Sequence, residues 1–367
     1  MGRGVIDTMT ALQALAPALG GVDVGAIQRM SGGASQETWA FDLRLGNTSA
    51  TAAPANETLA GMAPATHPLA AESVPPLVQP LILRRAPRSG PRPDSLGAGL
   101  AAEYALLGAA AAAGVPVPRT VLLLRPEHGL GEGYVMQRLN GETLGRRIVN
   151  DDRFAAARPH LARACGQALA RIHALPAQAL PPLHAASPAD EVTHYENWHA
   201  RHGTLRPVFT LALHWLRAHL PAAADMSLVH GDFRNGNLMI DATGLVGVLD
   251  WELAHRGDPM QDLGWLCVNS WRFGRSELPV GGFGQREDLF AGYVQAGGRL
   301  DAQRVRFWEV MGTLKWGVMC DGMAHSWLDG TDRSVEKAAI GRRASETEID
   351  LLALLSAEGR PAAEVAS

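Results

Sequence analysis

In the first 140 residues apolar and polar positions alternate in short runs; beyond them they recur mainly at helical spacing. TWAFDLRL (residues 38–45) alternates strictly and reads as a strand. LILRRAP (residues 81–87) predicts another, with Ile82 and Arg84 on one face and Leu83 and Arg85 on the other. VPVPRTVLLLRPE and GEGYVMQRLNGETL give two further strands. Before them, PDSLGAGLAAEYALLGAAAAAG predicts a helix capped by Asp94 or Ser95 and stopped at Gly114, with Glu103 its only internal acid. Past residue 143 helices are expected at about 153–175, 190–202, 204–220, 260–270, 285–297, 301–327 and 334–356. One pair of strands should interrupt them: NLMI and LVGVL, separated by the turn DATG, read as a β-hairpin. Residues 46–78, rich in Ala, Pro and Thr and without periodicity, read as a mobile insertion in a β-hairpin connection. Closing a longer loop costs only about 0.6 kcal/mol per doubling of length, so the surrounding sheet tolerates it.

With 367 residues the chain can bury a large core, and its length suggests two domains or lobes. The net charge is −4 and Lys and Arg are scattered, so no basic face points to nucleic acid or an anionic membrane. Cys165, Cys267 and Cys320 lie far apart without a CxxC pair and fit buried, reduced thiols. No apolar run reaches transmembrane length. Asp7, Gln13 and the missing basic segment argue against a signal peptide, and Ile6 breaks the myristoylation pattern. A cytoplasmic location is the expectation.

The hairpin carries the chemistry. Residues 230–253 read HGDFRNGNLMIDATGLVGVLDWEL, placing Asp232, Arg234, Asn237 and Asp250 around two short apolar strands. Transfer of a γ-phosphate to a hydroxyl needs a carboxylate for the proton, a cation near the developing charge and oxygen ligands for Mg²⁺. A hairpin brings its outer ends together, so Asn237 and Asp250 can share one metal. Upstream, Ser31-Gly32-Gly33-Ala34-Ser35 precedes a strand and suits a phosphate loop, although an ordinary hairpin turn uses the same residues.

HGDxxxxN followed at this distance by LDWE resembles the aminoglycoside phosphotransferase and choline kinase-like branch of the protein-kinase-like superfamily. The resemblance implies an α+β, bilobal protein-kinase-like fold: a small N-lobe with an antiparallel sheet plus one helix, and a larger, mainly helical C-lobe. It implies ATP and Mg²⁺ as cofactors, Asp232 as catalytic base, Arg234 at the γ-phosphate, and Asn237 and Asp250 as metal ligands. Ser31, Gly32, Gly33 and Ser35 would contact phosphate. Arg84 would stand where protein kinases have Lys and pair with Glu103 and the α/β-phosphates; a one-residue slip selects Arg85 instead. Gln137, Arg138 and Leu139 would form the hinge, with Gln137 and Leu139 meeting the nucleotide base. The implied boundaries are an N-terminal segment 1–21, an N-lobe 22–139 with its insertion at 46–78, a C-lobe 140–356 and a tail 357–367.

RGDPMQDLGWL resembles the family's G-D-P-x-x-D-L, which assigns Asp258 and Asp262 a structural role beside the metal loop. It follows LDWE too closely to leave room for a protein kinase's activation segment. The tail pattern resembles a bacterial phosphotransferase subgroup related to kinase-like domains found beside acyl-CoA dehydrogenase modules. The expected partner is a small hydroxylated molecule (antibiotic, hydroxyacyl compound or other metabolite), with neither nucleic acid nor membrane and with oligomeric state open. Candidates to touch it are Trp198, Tyr195, His194, Trp271, Arg272, Asp321, His325 and Trp327. The alternative is a nucleotide-binding scaffold without phosphotransfer, for which Arg in place of the strand Lys is the supporting feature.

Overall fold

The computed structural model describes residues 3–30, 36–46, 77–87, 97–202, 205–223 and 225–356. The expected phosphate loop (Ser31, Gly32, Gly33, Ser35), nearly all of the insertion 46–78 and the helix start at Asp94 or Ser95 lie outside the described residues. The chain divides into two compact units: Met1–Arg92 with Thr120–Arg138, and Pro93–Arg119 with Leu139–Ser367.

The first unit holds α1 (Arg3–Leu15), β1 (Asp23–Arg29), β2 (Glu37–Arg44), β3 (Val78–Arg85), β4 (Thr120–Leu123) and β5 (Gly133–Gln137). The strands form one antiparallel sheet in the order β1-β2-β3-β5-β4. Alternation decides its faces. Trp39, Phe41 and Leu43 of β2 join Leu81 and Leu83 of β3, Val135 of β5, and Leu12 and Leu15 of α1 in one apolar cluster. Within the N-terminal segment 1–21 lies helix α1, which packs Leu12 and Leu15 against one face of the sheet.

The second unit begins with α2 (Leu100–Ala112), the helix counted with the N-lobe in sequence, and continues with α3 (Gly145–Asn150), α4 (Arg158–His173), α5 (Pro188–His202) and α6 (Pro207–Ala218). Short strands β6 (Ser227–Val229), β7 (Leu238–Asp241), β8 (Gly244–Val248) and β9 (His255–Gly257) follow, then α7 (Met260–Cys267), α8 (Arg286–Gln295), α9 (Ala302–Leu328), α10 (Val335–Gly341) and α11 (Ala344–Ser356). Helix α9 is the axis against which α7, α10 and α11 pack. Asp301 caps it, its carboxylate accepting the N–H groups of Gln303 and Arg304.

Three sequence expectations change here. The helix expected from 153 starts at Arg158 because Pro159 belongs in a first turn, where its missing N–H has no cost; Asp152–Phe154 forms a separate 3₁₀ turn capped by Asp151. The single helix expected over 334–356 is two, α10 and α11, broken after Gly341, which lies hard against the backbone of Ala324 in α9. The β7–β8 hairpin is joined by a second pair, β6 with β9, that the sequence reading missed; three-residue strands are too short to show a period.

Candidate active site

The hairpin forms as its pattern requires. Leu238 pairs with Val248, and the Leu249 N–H donates to the Asn237 carbonyl at 2.9 Å, so Asn237 stands beside the residue preceding Asp250. The turn entering it needs glycine: Gly231 has φ +81°, and a Cβ there would meet the Leu253 carbonyl oxygen at 2.3 Å.

Asp232 sits half-buried at the centre. Its Oδ1 accepts from Trp265 Nε1 at 2.8 Å and Arg234 Nε at 3.0 Å; its Oδ2 accepts from Asn237 Nδ2 at 2.6 Å. Asn237 Nδ2 also donates to the Asp232 carbonyl at 3.0 Å. Both partners are acceptors, so the amide orientation is fixed and its carbonyl oxygen is the atom left for a cation. The Arg234 guanidinium carbon lies 4.6 Å from the Trp271 ring centroid.

Asp250 has φ +64°, a left-handed backbone in a residue with a Cβ. Such conformations cost on the order of 1–3 kcal/mol and persist where the surroundings impose them. Trp251, only 1% exposed, follows it and donates its indole N–H to the Val248 carbonyl at 3.2 Å, which anchors the turn.

Behind this loop Asp262 accepts the backbone N–H groups of His230 at 2.8 Å and Gly231 at 2.9 Å. His173 Nε2 lies 3.0 Å from the same carboxylate, and its Nδ1 lies 2.9 Å from the Tyr293 hydroxyl. Burial pushes the Asp262 carboxyl up, but the His173 hydrogen bond and charge and the His230 backbone N–H outweigh it and hold the group below the usual carboxylate range. Asp258 is structural: Oδ1 accepts the Met260 N–H, while Oδ2 takes Arg304 and the Trp308 indole. Both acids act as supports, and Asp262 does so directly on the His230–Gly231 turn that precedes Asp232.

In the first unit the Arg84–Arg85 ambiguity separates by face. Arg85 is 1% exposed; its Nε and Nη2 donate to Glu37 Oε2 at 2.9 and 2.7 Å, its Nη2 also to Thr8 Oγ1 at 3.0 Å, and its guanidinium lies near the Trp39 ring. It is committed to the α1 side of the sheet. Arg84 projects from the opposite face, between Thr38 and Tyr134 of the neighbouring strands. Gln137 ends β5 and is exposed, while the Arg138 N–H donates to the Pro80 carbonyl at 3.1 Å and its side chain pairs with Asp42 at 2.6 Å. That N–H is therefore spent within the sheet. In the second unit Glu103 is 1% exposed on α2. Leu139 lies against Gly247 of β8.

Of the residues suggested for the acceptor, Tyr195 and Trp198 stack at 5.8 Å and Trp271 packs between Trp265 and Trp316. Arg272 is tied to the Cys267 carbonyl and Glu309, and Asp321 to Arg206, so both are structural. Trp265 and Lys315 were missed. Lys315 is buried on α9, with its Nζ 3.4 Å from the Gly231 carbonyl and 4.8 Å from the Trp265 ring centroid.

A half-buried carboxylate with three donors thus stands at the turn that enters the β7–β8 hairpin. Residues 74–308, more than half of the chain, match the phosphotransferase enzyme family, and the chain belongs to it. It is 30% identical over 200 residues to mouse acyl-CoA dehydrogenase family member 10, covering 51% of this chain and 18% of that protein. Chicken acyl-CoA dehydrogenase family member 11 is 30% identical over 175 residues, 44% of this chain and 22% of the relative. The matched regions thus span about a fifth of these relatives' length. Among solved structures, a candidate aminoglycoside phosphotransferase from Ralstonia eutropha is similar with a TM-score of 0.67 at 20% identity, over 95% of this chain and 98% of that one. Macrolide 2'-phosphotransferase MphH from Brachybacterium faecium gives 0.58 at 20% identity, over 91% and 97%. Aminoglycoside phosphotransferase APH(4)-Ia, solved with AMP-PNP and hygromycin B, gives 0.54 at 14% identity, over 96% and 100%. These likenesses show the fold: a five-stranded antiparallel sheet followed by a mainly helical part, as in the kinase-like phosphotransferases. Among the described residues no helix is long and apolar enough to cross a membrane.

Proposed function

We propose that the protein moves the γ-phosphate of ATP, with Mg²⁺, to a hydroxyl of a small molecule. The observation that carries this reading is the Asp232 carboxylate, oriented by Trp265, Arg234 and Asn237 at 2.6–3.0 Å. Asp232 takes the acceptor's proton as its oxygen bonds to phosphorus and the bond to the ADP oxygen breaks; the proton then passes to solvent. Arg234 steadies the charge on the transferred group. Asn237, through its carbonyl oxygen, and Asp250 would hold Mg²⁺, which usually takes one or two protein oxygens and fills its sphere with phosphate and water. When bound, the ion neutralises charge on the phosphates.

Nucleotide binding falls in this reading to Ser31, Gly32, Gly33 and Ser35, to Arg84 with Glu103, and to the Gln137 and Leu139 backbone. Arg84, rather than Arg85, fits because Arg85 is spent on Glu37 and Thr8. Arginine keeps its charge and can grip phosphate and carboxylate bidentately. The AMP-PNP complex of APH(4)-Ia, which shares the fold, supports an adenine nucleotide as donor. The lobes would run 22–139 and 140–356, with the protein cytoplasmic.

The acceptor is a small alcohol rather than a protein, because β9 and α7 follow Asp250 directly and leave no activation segment. ADP release in the presence of Mg²⁺-ATP and a panel of hydroxylated metabolites and antibiotics tests the reading. Turnover that needs Mg²⁺ and disappears in Asp250→Ala is expected; ATP binding without turnover on any acceptor, water included, would make the chain a nucleotide-binding scaffold.

A further inference from the structure

We propose that Lys315 is a positioning residue for the transfer step, acting on Asp232 through the indole of Trp265. The inference rests on the phosphotransferase reading, because it concerns how that reading's catalytic base is held.

Trp265 has a polar contact at its edge and a cation at its face. Its indole N–H donates to Asp232 Oδ1 at 2.8 Å, and Lys315 Nζ lies 4.8 Å from its ring centroid. A cation over an indole polarises the ring and makes its N–H a stronger donor, an effect that grows where water is excluded. Little water reaches this place: the space bounded by Glu191, Gly231, Trp265, Met311 and Lys315 amounts to about 10 Å³, room for one molecule at most. The Lys315 Nζ also reaches the Gly231 carbonyl at 3.4 Å, on the turn that carries Asp232. One ammonium thus grips the catalytic turn by its backbone and by the tryptophan that orients its carboxylate.

A buried ammonium is retained only if its surroundings favour the charge. Burial pushes Lys315 down, but Tyr195, Glu191, Asp232 and Asp262 outweigh it and hold the group above its ordinary value. It is therefore a fixed positive charge. Trp271 and Trp316 pack on from Trp265, at 5.1 and 4.9 Å between successive centroids, and keep its ring from turning away.

The test is a double-mutant cycle on the full chain, using Mg²⁺-dependent ATP hydrolysis with water as acceptor. Lys315→Met and Trp265→Phe should each lower kcat, roughly 10- to 100-fold for loss of a charge-assisted contact, with the KM for ATP unchanged. The double variant should fall by less than the product of the two singles, because both act on the one contact between Trp265 and Asp232. A second readout needs no turnover: the Trp265 indole N–H resonance, assigned with Trp265→Phe, should move upfield in Lys315→Met. Multiplying effects, an unchanged kcat in Lys315→Met, or an unmoved resonance overturns the proposal. A wild-type protein without turnover on water or on any hydroxylated acceptor overturns the phosphotransferase reading instead, and the resonance then decides alone whether Lys315 acts on Trp265.

Discussion

Asn237 donates its side-chain N–H to Asp232 Oδ2 at 2.6 Å and to the Asp232 carbonyl at 3.0 Å. One amide therefore orients the candidate base with its nitrogen and leaves its oxygen for the proposed metal, five residues away in sequence. Asn237→Ala should damage both functions. We expect turnover to fall and the Mg²⁺ concentration for half-maximal activity to rise by about 10- to 100-fold. A magnesium titration at saturating ATP checks this; an unchanged Mg²⁺ requirement would remove Asn237 from the metal site.

Asp250 stands at φ +64°, where glycine carries no strain. Asp250→Gly should preserve or raise thermal stability, by up to about 1 kcal/mol, while abolishing Mg²⁺-dependent turnover. Paired melting and activity measurements test the claim. A variant that is both less stable and active would show that the backbone is shaped for folding alone.

Arg84 and Arg85 should fail in different ways. Removing Arg85 strips Glu37 and Thr8 of a buried partner, so Arg85→Ala should cost roughly 3–5 kcal/mol of stability. Arg84→Ala should leave the melting temperature within a few degrees and raise the KM for ATP. Denaturant titration and ATP kinetics on the two variants separate them, and a reversed pattern would exchange their roles.

Acid should loosen the catalytic turn through Asp262. Its carboxyl is held below the usual range in the fold, so its contribution is fully present above the unfolded value of about 3.9 and is lost as pH falls through the lower folded value. Asp262→Asn removes that charge and should flatten the loss of stability on acidification. Melting temperatures of both proteins from pH 6 down to about pH 3 give the comparison; parallel curves would place the acid sensitivity elsewhere.

The sequence was most legible where the candidate site is local. Asp232, Arg234, Asn237 and Asp250 lie around one turn and one hairpin, which their spacing and the family resemblance already group. Arg84 and Arg85 could not be separated by alternation without knowing which face α1 covers. Trp265 and Lys315 were illegible for a different reason. A lone Lys in a Trp-rich helix carries no spacing signal, and its meaning appears only when α9 passes beneath the catalytic turn. The length pattern of helices was read well in the interior and poorly at ends, where Pro159 and Gly341 decide.

ATP binding and turnover in Asp232→Asn decide whether Asp232 moves the acceptor's proton. A dissociation constant for Mg²⁺-ATP close to wild type is expected, with turnover lower by about 10²- to 10⁴-fold. Turnover at the wild-type rate in that variant would contradict that role.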